Sequence, residues 1–516
     1  MPAMSRETDP TRGALSVDQV ARHEIGGGQA TPPPRFLRVD AAAIIDFDRT
    51  CSAPGSILIE LTDSEIGTFA AADGKRAFHH ARTRVLAVGS PEHVDAHPAM
   101  AADGLLRLRR PGCVLIPGLV NAHAHLDLTH IGPRPYEPEK GFMGFVDIVR
   151  SNRLMDDEAI AASVQRGIDL SLAGGVVAVG DIAGSVRGTP SLAPMRTLAA
   201  SPLWGVSYLE FFAFGKGQEA SLDRALAALA AAQTLQTPRV RAGLSPHAPY
   251  SVSPPMLERA MRFARTQTPP VPVCTHVAET MEEREFIEKG TGPFRDLLER
   301  LGLWSDDSLE YVGQGRGSLE HFVRCAEAAG RTNDDALSSP LLMAHVNDAP
   351  LPLRLSADWN DELFGRAWEV GALLAYCPRA SRYFNAEESF GRHHYGTMNA
   401  DGVYTSLGTD SVVNLPADGF AAPPGNVSRI STLDEARLLA RRMREDPQEL
   451  LRMFTTNGAQ AIGLDFVAFC FQPEETLAGL VAVPCIRTPS EQDSAIAWLQ
   501  SAFACETSPE LLLVGK

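Results

Sequence analysis

Basic excess is missing from this 516-residue chain: 47 Lys and Arg stand against 63 Asp and Glu, a formal net charge of −16. Phosphate contacts need clustered cations, so nothing here suggests a nucleic-acid partner. No apolar run approaches the roughly 18 residues of a membrane span. The first residues, MPAMSRETDPTRG, contain no apolar stretch of the kind a secretory signal needs. The eight cysteines (Cys51, Cys113, Cys274, Cys325, Cys377, Cys470, Cys485 and Cys505) are scattered and form no CxxC pair. Sparse unpaired cysteines fit a reducing compartment, and the expectation is a cytoplasmic protein. HExxH is absent, as is the H-x-E with P-C-x-x-C of one zinc-dependent fold. No 20 to 50 residue repeat and no heptad array stands out.

What remains is ordinary globular composition, 44% hydrophobic and 21% charged, in a chain long enough for one large core and a smaller companion domain. Residues 1–34, with GGGQATPPP, read as a disordered leader. Over 35–117 short apolar runs alternate with turns (SILIELT, RVLAVGS, LLRLRR), the pattern of a small β domain. Over 118–460 the runs become compact and continuous, as in GGVVAVGD, PVPVCTHVAE and GALLAYCP, and helical patterns such as SLDRALAALAAAQTL lie between them. Buried parallel strands alternating with helices predict an α/β fold. Counting PGLVNAHAH first gives eight strands and a (β/α)₈ TIM-like barrel. The stretch from His276 to His345 is long for one βα unit, and YVGQGRGSLEHF within it reads as a loop insertion. The segment 461–516 returns to short runs and is expected to complete the β domain.

His123 and His125 are the strongest local signal. They follow the apolar run CVLIPGLV, and residues two apart on a strand share a face, so both imidazoles can reach one ion. HxH is common, and a pair of exposed loop histidines is the competing explanation. His276 ends PVPVCT, His345 ends LLMA and Asp410 ends VYTSLGT. The C-terminal ends of barrel strands lie on one face, which brings distant positions together. Each residue alone is more simply a satisfied core histidine or a capping aspartate. Several strand ends carrying ligand types by chance is a poorer explanation.

Taken in order, PGLVNAHAHLDLT, SPHAPYS, THVAET, LLMAHVN, YCPRAS and SLGTDS resemble the amidohydrolase superfamily over roughly residues 110 to 460. More narrowly, they resemble its mononuclear branch of deaminases and chlorohydrolases, which includes guanine, S-adenosylhomocysteine and aminodeoxyfutalosine deaminases and the triazine hydrolases. The resemblance implies metal ligands at His123, His125, His276 and Asp410. It implies His345 beside the reacting water, Glu279 as proton shuttle and His247 facing the substrate. Three neutral imidazoles and a carboxylate leave a coordination position open for water, whose pKa a divalent ion lowers. A carboxylate three residues after a ligand is placed for proton transfer. The competing explanation for Glu279 is a solvated glutamate on an acidic helix with Glu282, Glu283 and Glu285. Binuclear relatives carry a lysine on the fourth strand; VRAGLSPHAPY has none. One divalent ion is therefore expected, zinc before iron(II).

Arg379 and Ser381 follow the seventh strand in YCPRASRYF, which departs from the family's patterns there. Arg379 is a candidate substrate contact, with a structural arginine the alternative. His393 and His394 read as exposed loop histidines, Tyr250 and Trp204 as packing aromatics, Asp181 as a cap, and Gly313, Gly315 and Gly317 as a flexible loop rather than a phosphate cradle. The expected function is a metal-dependent aminohydrolase acting on an amino-substituted heterocycle, such as a purine nucleoside derivative like aminodeoxyfutalosine, by attack of metal-activated water. The first alternative is the same centre acting on a cyclic amide, imidazolone or chlorotriazine. The second is a silent scaffold barrel, which a lost ligand would mark. The partner is a small molecule, with neither nucleic acid nor membrane, and a homodimer is the oligomer that the resemblance allows.

Overall fold

Alternating and continuous apolar runs build two different sheets, as their burial requires. The computed structural model describes residues 33–47, 50–72, 74–349, 360–418, 427–443, 445–486 and 494–516; the leader expected over 1–34 lies outside them except for its last two residues. The first strands are β1 (Phe36–Ile45), β2 (Cys51–Ser52), β3 (Gly55–Ala71), β4 (Gly74–Gly89) and β5 (Leu105–Pro117). Eight further strands form one parallel sheet: β6 (Leu119–Ala124), β7 (Val176–Ala183), β10 (Trp204–Phe211), β11 (Val240–Pro246), β12 (Val273–Val277), β13 (Leu341–His345), β14 (Ala372–Tyr376) and β15 (Thr405–Leu407). A small hairpin, β8 (Ser185–Val186) with β9 (Thr189–Pro190), follows β7. The last two strands are β16 (Gly479–Pro484) and β17 (Glu510–Gly515).

The parallel strands are buried along nearly their whole length, because barrel side chains fill one face and helices cover the other. Closure falls between the first strand and the extension of the eighth. The amides of Thr409 and Asp410 both donate to the His123 carbonyl, at 3.0 and 3.1 Å. The Asn121 amide bonds the Thr409 hydroxyl at 2.7 Å and accepts the Thr409 amide at 3.1 Å. Gly408 makes this seam possible. A Cβ there would lie 2.9 Å from both the Cβ and the carbonyl oxygen of His123 and 2.8 Å from Cys377 Sγ.

The second sheet runs β2-β1-β3-β4-β17-β16-β5, with β1 also pairing β5, so strands from both ends of the chain curl into one smaller β domain. GLVAVP pairs antiparallel with the end of β5, which runs directly into the barrel's first strand. Trp204, at the start of β10, donates its indole N–H to the Gly515 carbonyl at 2.9 Å. It ties the closed end of the barrel to β17, away from the mouth. No disulfide joins any of the eight cysteines. Among the described residues no helix is long and apolar enough to cross a membrane.

The long unit between His276 and His345 is mostly helical: Met281–Lys289, Pro293–Arg300 and Ser318–Ala328. SLEHF, expected in a loop, opens the third of these helices. The serine, leucine and phenylalanine that begin it are buried, and that burial outweighs the glycines preceding it. Gly313, Gly315 and Gly317 do lie in the connecting loop.

Candidate active site

Four barrel strands deliver the residues that the strand ends suggested. His123 and His125 leave β6 on one face, with ring centroids 5.2 Å apart. His276 comes from β12, and its Nε2 lies 3.2 Å from His125 Nε2. Asp410 follows β15; its Oδ1 is 3.7 Å from His123 Nε2 and 3.4 Å from His125 Nε2. His123, His125 and His276 form one group of converging ligand atoms, and His123, His345 and Asp410 form a second. The Nε2 of His123 and both ring nitrogens of His345 are buried without a hydrogen-bond partner. Buried orphan nitrogens cost free energy unless something binds them. The donor set suits a divalent cation of the zinc type, three imidazoles and one carboxylate converging from separate strands.

The surroundings orient these donors. His276 turns its Nδ1 to the His247 carbonyl at 2.9 Å, leaving Nε2 for the centre. Asp410 Oδ2 accepts from the Asn414 side-chain amide. Burial keeps the imidazoles neutral, pushing His276 down to about 4 and His125 and His345 well below the ordinary histidine value; neutral rings are the form that ligates. Burial works against ionisation of Asp410, but the neighbouring imidazoles of His123, His125 and His345 outweigh it and hold the carboxyl below the usual range. His345, Asp410 and Ala278 have positive φ of 73°, 54° and 54°. Non-glycine residues rarely adopt this conformation, and here it turns three chains out of the barrel beside one site.

Glu279 lies 5% exposed, so it is not a solvated helix glutamate. Its Oε1 is 3.5 Å from His345 Nε2. Burial, then the charge of Asp410, pushes its carboxyl well above the usual range. Glu283, one turn along, is buried and accepts the amides of Ala278 and Glu279 at 2.8 and 2.9 Å, fixing the segment that carries Glu279. Asn347 donates to the Glu279 carbonyl at 3.0 Å and accepts from Ser381 at 2.5 Å.

The mouth opens into a cavity of about 820 Å³ lined by His125, His276, Glu279, Asp410, His247 and an aromatic wall that includes Phe142, Tyr250 and Phe294. Phe294 comes from the helical insertion, and Tyr250 stacks on it at 3.8 Å. His247 holds Ser251 Oγ at 2.7 Å through Nδ1 and points Nε2 towards Glu210, 3.9 Å away.

Arg379 is not brought to this cavity. Its guanidinium is buried against Glu435, with Nε 2.6 Å from the carboxylate, and reaches the Ser431 carbonyl at 3.4 Å. Asp181 accepts the Leu126 amide at 2.9 Å behind the first-strand loop. His393, expected in solvent, stacks on Tyr376 at 3.9 Å and donates to the His345 carbonyl at 2.8 Å. Glu210, at the end of the third barrel strand, escapes the sequence reading. It lines the cavity 2% exposed, and burial pushes its carboxyl up to about 7. The run LWGVSYLEFFAF continues apolar beyond it, hiding the strand end that would have revealed it.

A parallel eight-stranded barrel with histidines and an aspartate converging at its C-terminal mouth defines the class: a metal-dependent hydrolase barrel. The amidohydrolase family model matches residues 114–467. The chain belongs to that family and is a hydrolase of carbon–nitrogen bonds other than peptide bonds. An aminodeoxyfutalosine deaminase of Deinococcus radiodurans is 28% identical over 64% of this chain and 70% of its own length. A 5-methylthioadenosine/S-adenosylhomocysteine deaminase of Haloquadratum walsbyi is 25% identical over 76% of this chain and 75% of its own. The crystal structure of Helicobacter pylori aminofutalosine deaminase shares the fold, with a TM-score of 0.65 at 20% identity over 93% of this chain and 99% of that one.

Proposed function

We propose that this chain is an aminohydrolase with a single zinc-type cation that releases ammonia from an amino-substituted heterocycle of the purine nucleoside kind, aminodeoxyfutalosine first among the candidates. The convergence of His123, His125, His276 and Asp410, with Glu279 and His345 beside them, carries the reading. The relatives named for deaminating aminodeoxyfutalosine and methylthioadenosine support the substrate class. The fourth strand, VRAGLSP, supplies no lysine to bridge a second ion. A divalent cation held by the four ligands would acidify a water and so furnish a nucleophile near neutral pH.

The rest of the chemistry belongs to the chain. Deamination adds the water oxygen to the carbon bearing the amine while a ring nitrogen takes up a proton; the carbon–nitrogen bond then breaks as the departing amine takes a second. Glu279 would take one proton from the water as a carboxylate and, once protonated, deliver it to the ring nitrogen; its buried surroundings raise its proton affinity and so suit it to carry the proton between the two. Asp410, held ionised, would accept the remaining proton from the added hydroxyl and pass it to the departing amine, so that both protons of the water are accounted for. His345 would donate a hydrogen bond to the developing oxyanion, the role of an oxyanion-hole donor. The aromatic walls present flat apolar faces to a planar ring.

Zinc-loaded protein is expected to release ammonia from at least one of aminodeoxyfutalosine, adenosine, 5′-methylthioadenosine or an aminotriazine. Glu279→Gln is expected to keep the metal and lose about 10²- to 10⁴-fold in kcat, the range of a general acid–base group. Turnover confined to a lactam or an aryl chloride, or near-normal rates in Glu279→Gln, would overturn the proposal.

A further inference from the structure

His276 is oriented through its ring, whose Nδ1 meets the His247 carbonyl at 2.9 Å. His345 is not. Both of its ring nitrogens are buried without a hydrogen-bond partner among the described residues, and Glu279 Oε1, at 3.5 Å, is too distant to fix the ring. Its neighbours are the rings of His123 and His276, with centroids 5.4 and 5.5 Å away. The direction of the His345 side chain therefore comes from its backbone. That backbone is strained: His345 and Val346 have φ of 73° and 50°, two consecutive non-glycine residues in the left-handed region, the second of them β-branched. Such a conformation costs free energy and persists only where its surroundings hold it. The Val346 amide donates to the Val277 carbonyl at 2.9 Å, a bond within the barrel. The His345 carbonyl accepts His393 Nε2 at 2.8 Å, a bond from outside it.

The surroundings of His393 leave it one role in this contact. Its Nδ1 accepts the Tyr395 amide at 2.9 Å, which places the proton on Nε2. Its ring stacks on Tyr376 at 3.9 Å, with the planes 28° apart. Burial pushes the imidazole down to about 4, so it stays neutral, with one donor and one acceptor. The same turn reaches Glu279. Asn347, two residues after His345, donates to the Glu279 carbonyl at 3.0 Å and accepts from Ser381 at 2.5 Å. The segment that His393 grips thus carries the His345 ring at one end and is tied to the Glu279 main chain at the other.

We propose that His393 is a positioning residue: its bond to the His345 carbonyl fixes the left-handed turn at His345 and Val346, and so aims the His345 ring and sets its distance from Glu279. The effect on turnover rests on the aminohydrolase reading. The grip on the turn does not.

The test compares two variants of the zinc-loaded full chain. His393→Phe keeps a flat ring against Tyr376 and loses the donor; the ring borders a separate cavity of about 280 Å³, which leaves room for the larger side chain. His393→Gln loses the ring and keeps a side-chain N–H that can reach the carbonyl. In His393→Phe, kcat is expected to fall about 10- to 10²-fold while KM stays within about threefold, the mark of a misplaced reacting group rather than of lost substrate binding. His393→Gln should recover most of that loss, and both variants should keep their zinc, read by elemental analysis. Amide hydrogen exchange supplies a readout that needs no turnover. In His393→Phe the Val346 and Asp348 amides should exchange about tenfold faster, with Leu342 and Met343 of the same strand unchanged. A general loss of stability would quicken all four alike. Unchanged exchange at Val346, equal acceleration along the strand, lost zinc, equal kcat losses in the two variants, or a His393→Phe kcat within about twofold of normal overturns the proposal. Local exchange as expected, in a protein that deaminates nothing, would leave the grip on the turn standing and remove the aminohydrolase reading instead.

Discussion

Arg379→Met separates a structural arginine from a substrate contact. The guanidinium and its partner Glu435 are 5% and 0% exposed, and Nε meets the carboxylate at 2.6 Å. Glu435 also accepts the Arg379 backbone amide at 3.0 Å. Removing one partner of a buried pair strands the other charge, at a cost of about 3–5 kcal/mol. The retained amide bond to Glu435 places the expected loss at the lower end, about 3 kcal/mol. Denaturant unfolding followed by fluorescence and by circular dichroism reads it; agreement of the two probes is needed in a chain of this length. Arg379→Met with Glu435→Gln should recover part of the loss, because a neutral side-chain amide removes the unpaired charge and can still accept the Arg379 backbone N–H. KM should stay within about twofold of normal, since a residue outside the cavity contributes no substrate binding to lose. An unchanged unfolding midpoint with KM raised tenfold would refute the reasoning and put the guanidinium against substrate.

Three further perturbations test other parts of the argument. His276→Ala should abolish stoichiometric zinc, read by elemental analysis; full metal content in the variant would contradict the ligand assignment. Gly408→Ala should reduce zinc affinity and stability together, because its Cβ would meet the His123 backbone at 2.9 Å and overpacking costs about 1–3 kcal/mol; a variant with normal metal affinity would show that the seam yields. Asp434 supplies a pH test away from the site. Burial opposes its charge, but Arg429 and Arg437 outweigh it and lower the carboxyl from 3.8 to about 2. A depressed carboxyl contributes stability above its unfolded value and loses it as pH falls through the folded one, so about 2 kcal/mol should disappear between about pH 4 and about pH 2. Asp434→Asn should be less stable at neutral pH and flatter across that window; an unchanged acid profile would deny the pair its role.

The barrel was readable because each strand announces itself as a short apolar run, and the site because ligand-type residues end those runs at His276, His345 and Asp410. Such reasoning assigns a residue to a strand end but not a direction beyond it. Arg379 sits on the first turn of the helix Pro378–Tyr383, where the side chain can face the mouth or the outer helices. Glu435, which decides the matter, lies 56 residues further on. His393 failed the same way: its polar neighbours suggested solvent, while Tyr376 and the His345 carbonyl claim it from other elements. Glu210 was hidden because apolar residues continue past its strand.

The insertion carries the larger lesson about specificity. From sequence, the unit between His276 and His345 is spare length with glycines in it. Folded, its helix Pro293–Arg300 is strongly two-faced: Phe294 and Leu298 are buried and, with Leu297, line the cavity, while Arg295 and Glu299 pair at 2.9 Å on the other side. A helix with one apolar face must bury it, and here that burial builds part of the cavity wall. The converging ligand-type residues therefore stand where the strand pattern is regular, at strand ends held in a rigid frame. The rest of the cavity wall comes from where the pattern breaks, in the insertion, the β8–β9 hairpin and the loop after β10. That division explains why the reaction class was legible from motif order while the substrate was not.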